Sequence, residues 1–273
     1  GYCTNGMVMA AKSLLAQNPK PTLEQVKQGM AGNLCRCGTH TRILRAVRFE
    51  QRFGFKIESR TAQLIGDALA MVPRVSGERL RHELELIFAE TEPEKAMVRL
   101  NGLGVLRAIL AQFEFTEWHA AKFRAARETR QPDALTYFGI SAYPLAPSTA
   151  AEFAQRLKLS TGDTEAINQV VALREEAAPP LASASRAPSE IYRLLEDYSD
   201  AALGILAIAT DDVIIGERID LYRTRLREIR PELTGHDLKR MGIRPGPTFK
   251  DILSRLRDAR LDGEIATRAE EER

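Results

Sequence analysis

Apolar residues recur at intervals of three and four along most of this 273-residue chain. Between residues 77 and 90, for example, Leu80, Leu84, Ile87 and Phe88 fall on one stripe of a helix. The two-residue alternation typical of half-buried strands is absent. The sequence therefore predicts an all-α fold. Helices are expected over 6–17, 41–54, 77–90, 94–113 and 215–229, and after Pro247.

Two proline-containing stretches suggest how the helices are grouped. Residues 131–148 are rich in proline and aromatic residues and are expected to turn between helices, while 177–188 form the best candidate linker. We therefore expect an elongated multi-helix body and tail, made of 41–178 and 189–273, with residues 1–40 as a small N-terminal helical satellite. The chain opens on Gly1, so we also expect that its N-terminus is truncated.

Charge and cysteine usage limit the location and the partners. The net charge is +2, so any basic surface has to be local. No run of about 18 apolar residues occurs, which argues against a membrane-spanning helix. All three cysteines lie in the first 37 residues, a pattern that suits metal ligands in a reducing, cytoplasmic setting.

The cysteines stand in two short motifs, Gly-Tyr-Cys at 1–3 and Gly-Asn-Leu-Cys-Arg-Cys-Gly at 32–38. Thiolates are the ligands of iron–sulfur clusters, and a 2Fe–2S centre needs four of them. Residues 1–40 resemble the helical 2Fe–2S domain of the molybdenum hydroxylases, such as xanthine dehydrogenase and aldehyde oxidase. The resemblance implies that Cys3, Cys35 and Cys37 are metal ligands. Because only three of the four cysteines are present, the segment holds either an incomplete centre or no cluster.

An arginine-rich helix follows at residues 41–55. Arg42, Arg45, Arg48 and Arg52 fall within about a third of its circumference, opposite an apolar side. Such a guanidinium stripe suits phosphates or base edges, although a solvated basic face is the alternative. The segment resembles the motif after the catalytic head of class II CCA-adding enzymes and their poly(A) polymerase relatives.

The segment 76–87 resembles the next motif of the same family, with Arg79 and Glu83 one helical turn apart. These two residues can pair with each other or brace the arginine helix. The resemblance covers 41–273, with 41–178 as a neck and body region and 189–273 as body and tail. It implies an RNA-binding, non-catalytic part of a tRNA 3′-end CCA-addition protein, with tRNA as the partner.

Residues needed for nucleotide addition are missing from the sequence. In the family, an acidic pair before the arginine helix and one arginine together read the base of the incoming nucleotide. That arginine aligns with Arg42. The acidic positions are occupied by Gly38 and Thr39, which cannot accept a proton from the amino group of the base. Nucleotidyl transfer also needs metal ions held by clustered carboxylates. Upstream of residue 41 the only acidic residue is Glu24, so no Mg²⁺-binding carboxylate cluster is identified. We expect this chain to be inactive by itself and a separate catalytic head protein to be a candidate partner.

The segment 234–260 carries seven Lys or Arg residues against three Asp. Its cations surround a glycine turn, Gly242–Gly246, and a helix is expected to begin at Pro247. Exposed amides and a helix N-terminus make this turn a candidate phosphate site, and it resembles the tail of bacterial class II tRNA nucleotidyltransferases. An ordinary turn with a C-cap glycine is the alternative. The candidate contacts are Lys239, Arg240, Arg244 and Lys250.

The two resemblances meet at Thr41–Val47, a stretch that satisfies the motifs of both families. The chain is therefore interpreted as a chimera, arising from a natural fusion or from an error in joining two reading frames. Three functions stay open: an RNA-binding module, a 2Fe–2S electron-transfer segment of an oxidoreductase, and an inert fragment.

Overall fold

The computed structural model describes residues 2–22, 25–26, 41–129, 132–183 and 185–273. All regular elements within these ranges are helical, which confirms the all-α prediction. The chain divides into two compact units, residues 1–114 and 115–273. Each unit is described by itself below.

The first unit is built around the arginine-rich helix, α2. Its Leu44 and Val47 are fully buried, and α2 packs against α4 and α5. Gly54 ends α2 with a φ of +66°, the left-handed conformation that favours glycine at a helix C-terminus. The helices of this unit are α1 Tyr2–Gln17, α2 Thr41–Phe53, α3 Ser59–Ala68, a 3₁₀ helix Leu69–Arg74, α4 Gly77–Phe88, α5 Pro93–Gly102 and α6 Val105–Ile109.

The second unit is a larger helical array. Its core is formed by fully buried aromatic and aliphatic side chains, among them Phe123, Phe153 and Leu206. Its helices are α7 Glu117–Thr129, α8 Ala134–Ala142, α9 Pro147–Arg156, α10 Thr161–Ala172, a π-helical turn Leu173–Ala177, α11 Ala178–Leu181, α12 Pro188–Leu195, α13 Asp200–Ala209, α14 Val213–Thr224, a 3₁₀ helix Leu226–Glu228, α15 Gly235–Arg240, α16 Pro247–Leu261 and α17 Arg268–Glu271.

The stretch 131–148, expected to turn between helices, contains the buried helix α8. Asp133 begins it by accepting a hydrogen bond from the Thr136 N–H at 2.8 Å, which satisfies a donor of the first turn. Gly139 lets α8 approach α13 closely, because a Cβ atom there would lie 2.5 Å from Cδ1 of Ile205. The expectation of an irregular segment was therefore wrong over 134–142.

The proposed linker at 177–188 also differs from the structure. Its first part is helical as α11, and Ala177, Ala178 and Leu181 are buried. Pro179 and Pro180 stand in the first turn of α11, directly after the π-helical turn, where the Ala178 N–H donates to the Leu173 carbonyl. Residues 177–181 thus belong to the packed unit.

Candidate nucleic-acid interface

The apolar side of the arginine-rich helix α2 is buried only in part, because Phe53 at its end is 55% exposed. Ile43, Leu44 and Val47 are buried at 5% exposure or less. The apolar side therefore holds the helix against α4 and α5, and the arginines lie along the remaining surface. Arg42 of α2 and Arg79 of α4 are exposed.

Carboxylates from α4 and the residues after it meet most of the arginine stripe. Arg45 Nη2 lies 2.5 Å from Oε1 of Glu83, whose side chain is 4% exposed. Arg48 and Arg52 both lie 3.6 Å from Oε1 of Glu90. Glu83 thus contacts the arginine helix, which is one of the two roles open to it. The ion pairs leave a much weaker external charge on α2 than its sequence suggests.

A second acidic residue on α2, Glu50, points inward. Its Oε2 accepts a hydrogen bond from Nε of Arg99 at 2.8 Å, and its Oε1 accepts one from the Ile57 N–H, also at 2.8 Å. Burial acts to raise the pKa of Glu50, but the Ile57 amide and the Arg99 guanidinium outweigh it, and the pKa lies below its ordinary value of 4.5. Glu50 therefore ties α2 to α5 and to the segment after Gly54.

The basic tail begins with α15, which is capped by Thr234 and Asp237. The Thr234 N–H donates to Asp237 Oδ2 at 2.9 Å, and Arg240 and Arg268 both pair with Asp237 Oδ1. Hydrogen bonds from the Thr234 hydroxyl and amide, followed by those from Arg268 and Arg240, hold the pKa of Asp237 far below its ordinary range. Arg240 is thus partly neutralised by a buried carboxylate.

Some backbone N–H groups of the turn after α15 are already used in hydrogen bonds to carbonyls of α15. Gly242 has a φ of +86°, and its N–H donates to the Lys239 carbonyl at 3.1 Å. The Ile243 N–H donates to the Leu238 carbonyl at 3.1 Å, as in a common helix C-cap. The turn therefore has the geometry of a capping turn as well as a basic surface.

Three of the four tail cations predicted to contact phosphate remain available to an anion. The side chains of Lys239, Arg244 and Lys250 are exposed, and no described residue engages them in a hydrogen bond or ion pair. Helix α16 begins beside them at Pro247, and no side chain caps its N-terminus. Among the predicted tail contacts, these three cations are therefore less neutralised than Arg240.

Sequence reasoning found the arginines but missed the acidic residues that face them. Glu90 and Asp237 each pair with arginines of the candidate sites, while Glu50 pairs with Arg99 of α5. For Asp237 a signal existed, because Thr-x-x-Asp is a capping-box pattern. For Glu90, which follows α4, no spacing rule connects it with α2.

The cysteine motifs are only partly covered by the structure. Cys3 lies in α1, although its side chain is outside the described part, and Cys35 and Cys37 fall outside the described residues. Within the described ranges, no group of three or more His, Cys, Asp or Glu residues is placed to hold a metal ion. None of the helices described is long and apolar enough to cross a membrane.

Family models match two separate parts of the chain. Residues 1–48 match a [2Fe-2S] binding domain, and residues 54–116 match a family described as "Probable RNA and SrmB- binding site of polymerase A". The first match extends over the start of α2, which agrees with a stretch shared by the two motifs. The matches thus divide the chain into a segment similar to a 2Fe–2S domain and a helical segment similar to the RNA-binding region of polymerase A.

Individual relatives give the same division. The A-adding tRNA nucleotidyltransferase of Geobacter sulfurreducens is 34% identical over 85% of this chain, and that of Halalkalibacterium halodurans is 29% identical over 82%. The small FeS subunit of nicotinate dehydrogenase from Eubacterium barkeri is 53% identical over 49 residues, or 18% of this chain and 31% of that protein.

A solved CCA-adding enzyme of Thermotoga maritima, complexed with tRNA-CCA, is also similar. It has a TM-score of 0.66 and 26% identity, over 85% of this chain and 59% of that chain. The chain spans 28% and 53% of the length of the two curated nucleotidyltransferases it matches. The similarity to enzymes that act on tRNA therefore concerns a part of those proteins.

Proposed function

We propose that this chain is a tRNA-binding, non-catalytic body and tail of the CCA-addition type. The observation that carries the proposal is the set of three unengaged cations, Lys239, Arg244 and Lys250, within a region similar to a solved enzyme complexed with tRNA. Cations that lack internal partners can neutralise phosphates without first breaking an ion pair. The tail should therefore contribute more to binding than the arginine stripe of α2.

Binding through phosphates has a characteristic salt dependence. Each phosphate that a cation neutralises releases condensed counterions, so affinity falls steeply as salt rises. Removing one such contact should weaken binding similarly for different tRNA sequences and flatten the logarithmic salt dependence by a slope of about one. Arg45 should have a smaller effect, because its guanidinium is already paired with Glu83.

The test measures tRNA affinity by fluorescence anisotropy over a series of salt concentrations. Arg244→Gln and Lys250→Gln are compared with Arg45→Gln and with Lys20→Gln, an exposed control lysine in the first unit. We expect the two tail variants to flatten the salt slope and the control to match the wild type. Salt-insensitive binding by the wild-type chain, or no binding, would contradict the proposal and favour an inert fragment.

The same proposal assigns nucleotide addition to a separate catalytic head protein. Gly38 and Thr39 stand where the family has its acidic pair, and Glu24 is the only acidic residue before Thr41. A head protein supplying the metal-binding carboxylates would complete the activity. Adding such a protein to the chain should then restore incorporation that the chain alone lacks, whereas incorporation by the chain alone would contradict this assignment.

A second candidate function is a 2Fe–2S electron-transfer segment. It is favoured by the [2Fe-2S] domain match over residues 1–48, which contain Cys3, Cys35 and Cys37. Thiolates are the donors that such a cluster needs, and a bound cluster would supply one-electron redox chemistry. Because this chain supplies three of them, we expect anaerobic reconstitution to give little iron and sulfide. Stoichiometric iron and sulfide that are lost in Cys35→Ser would instead establish the second function.

A further inference from the structure

Beyond the arginines, α2 ends in a cluster of exposed aromatic rings. The exposed fractions of Phe49, Phe53 and Phe55 are 37%, 55% and 66%. The ring centroids of Phe49 and Phe53 are 5.7 Å apart, and those of Phe53 and Phe55 are 5.6 Å apart. The three residues are called the phenylalanine cluster below.

The turn at Gly54 explains why the rings lie together. Its φ of +66° turns the chain immediately after α2, so that Phe55 lies beside the last helical residue, Phe53. A side chain at residue 54 would be strained in this conformation. The cluster is therefore a consequence of the backbone, although exposing three large apolar rings to water opposes the hydrophobic effect.

Cations are interleaved with these rings. The guanidinium of Arg48 lies 5.0 Å from the centre of the Phe49 ring, and that of Arg52 lies 5.4 Å from the centre of the Phe53 ring. Lys56 follows the cluster and is exposed. Glu50, the carboxylate within this stretch, is buried against Arg99. Both guanidinium groups also lie 3.6 Å from Oε1 of Glu90, so the exposed side of the stretch combines aromatic rings with partly neutralised arginines and the exposed Lys56.

This combination is complementary to unpaired nucleotides. The face of a base stacks on an aromatic ring irrespective of its sequence, while nearby cations meet the phosphates that flank it. Bases inside a duplex are already stacked on each other and offer the rings no free face. An uncharged apolar protein surface would match the rings but not the accompanying positive charge.

We propose that the phenylalanine cluster is a stacking surface for the unpaired bases of single-stranded RNA. The inference rests on the proposed function, since both require that the chain binds RNA, and it adds where the unpaired part of that RNA is held. It differs from the tail contacts in depending on base faces and not on phosphates alone.

The test uses the full chain and three probes of equal length: a single-stranded oligoribonucleotide, its duplex, and the same strand lacking bases. Phe53→Leu and Phe55→Leu remove the rings but keep an apolar side chain. Each substitution should remove the stacking of one base and so weaken binding of the single strand by roughly five- to 150-fold. Binding of the strand lacking bases should be unchanged, and Phe53→Trp should bind the single strand as tightly as the wild type.

Leu64→Ala is the matched control, because Leu64 is another exposed apolar residue of the first unit, 59% exposed. It should bind as the wild type does, and circular dichroism checks that each variant folds. If the Phe variants bind the single strand normally, or if the wild type binds the strand lacking bases equally well, the inference is wrong. A dimer that Phe53→Leu converts to a monomer would overturn it in favour of a protein interface.

The outcomes also separate this inference from the proposed function. If tRNA binding is salt-sensitive but the Phe variants bind normally, only the proposed stacking surface is contradicted. If the chain binds no RNA, both the proposed function and the stacking surface are contradicted.

Discussion

Replacing Glu50 tests whether its carboxylate holds the arginine helix in place. Glu50→Ala removes the acceptor of the Arg99 and Ile57 hydrogen bonds, both 2.8 Å long, and leaves a part-buried amide without that acceptor. A hydrogen bond to a charged group contributes about 1.5–3 kcal/mol. The Arg99 side chain is 37% exposed, so water replaces part of what it loses. We therefore expect Glu50→Ala to lower the free energy of unfolding by about 2–3 kcal/mol in total.

Glu50→Gln isolates the contribution of the charge. Glutamine keeps an oxygen that accepts the Ile57 N–H, so its cost should be smaller, at about 1–1.5 kcal/mol. Because the pKa of folded Glu50 is below its ordinary value of 4.5, the carboxylate stabilises the folded state above that pH. The stabilisation is lost as the pH falls through the lower, folded pKa. The difference between the wild type and Glu50→Gln should therefore shrink on acidification.

Urea unfolding followed by circular dichroism measures both effects. With a slope of about 2 kcal/mol per molar urea, a loss of 2 kcal/mol moves the midpoint by about 1 M. Hydrogen exchange of the α2 and α5 amides shows whether the loss is local to the first unit. Glu85→Gln is the control, because Glu85 lies on α4 in exposed ion pairs that contribute little. The reasoning is refuted if Glu50→Ala costs no more than this control, or if the gap between the wild type and Glu50→Gln is independent of pH.

Three further predictions concern other parts of the chain. Gly139→Val should lower the free energy of unfolding by about 1–3 kcal/mol, because the new side chain would collide with Ile205; an unchanged urea midpoint would contradict the close approach of α8 and α13. Asp237→Asn should destabilise α15 at neutral pH, and the difference from wild type should narrow as the pH falls below 3.8, since the folded pKa is depressed; hydrogen exchange of the α15 amides checks this. The purified chain should incorporate no CTP or ATP into tRNA lacking its 3′ end, and labelled product formed by the chain alone would show the carboxylate argument to be wrong.

Local signals in the sequence predicted the helices that have clear ends. Gly54 and Gly263 both have positive φ, as expected for residues that follow a helix, and Pro247 begins α16. The ends of these helices depend on the conformational preference of a single residue type, so they can be predicted from the sequence. Helix α8 was not predicted, because the composition of its segment is typical of turns whereas the helix is stabilised by burial. Asp133 was nevertheless a recognisable N-cap residue.

The candidate site was less predictable because its electrostatics depend on tertiary packing. The period of α2 placed the arginines on one face, but it could not show that Glu90 would lie within 3.6 Å of both Arg48 and Arg52. Glu83 had two partners open to it from sequence, and only the packing of α4 on α2 shows its contact with Arg45. Helical spacing therefore predicts which side chains share a face, whereas the charge of that face depends on the neighbouring helix.

The position of Glu90 has a consequence for selectivity. A row of unpaired guanidinium groups binds any polyanion, including heparin and unrelated nucleic acids. Such non-specific binding competes with binding of the protein to its own partner. Because Glu90 lies 3.6 Å from both Arg48 and Arg52, we expect it to reduce that adhesion. Glu90→Gln should accordingly elute later from a heparin column than the wild type, and the restraint is absent if the two elute together. In that case an acidic residue would help to determine which anions bind weakly to the arginine helix.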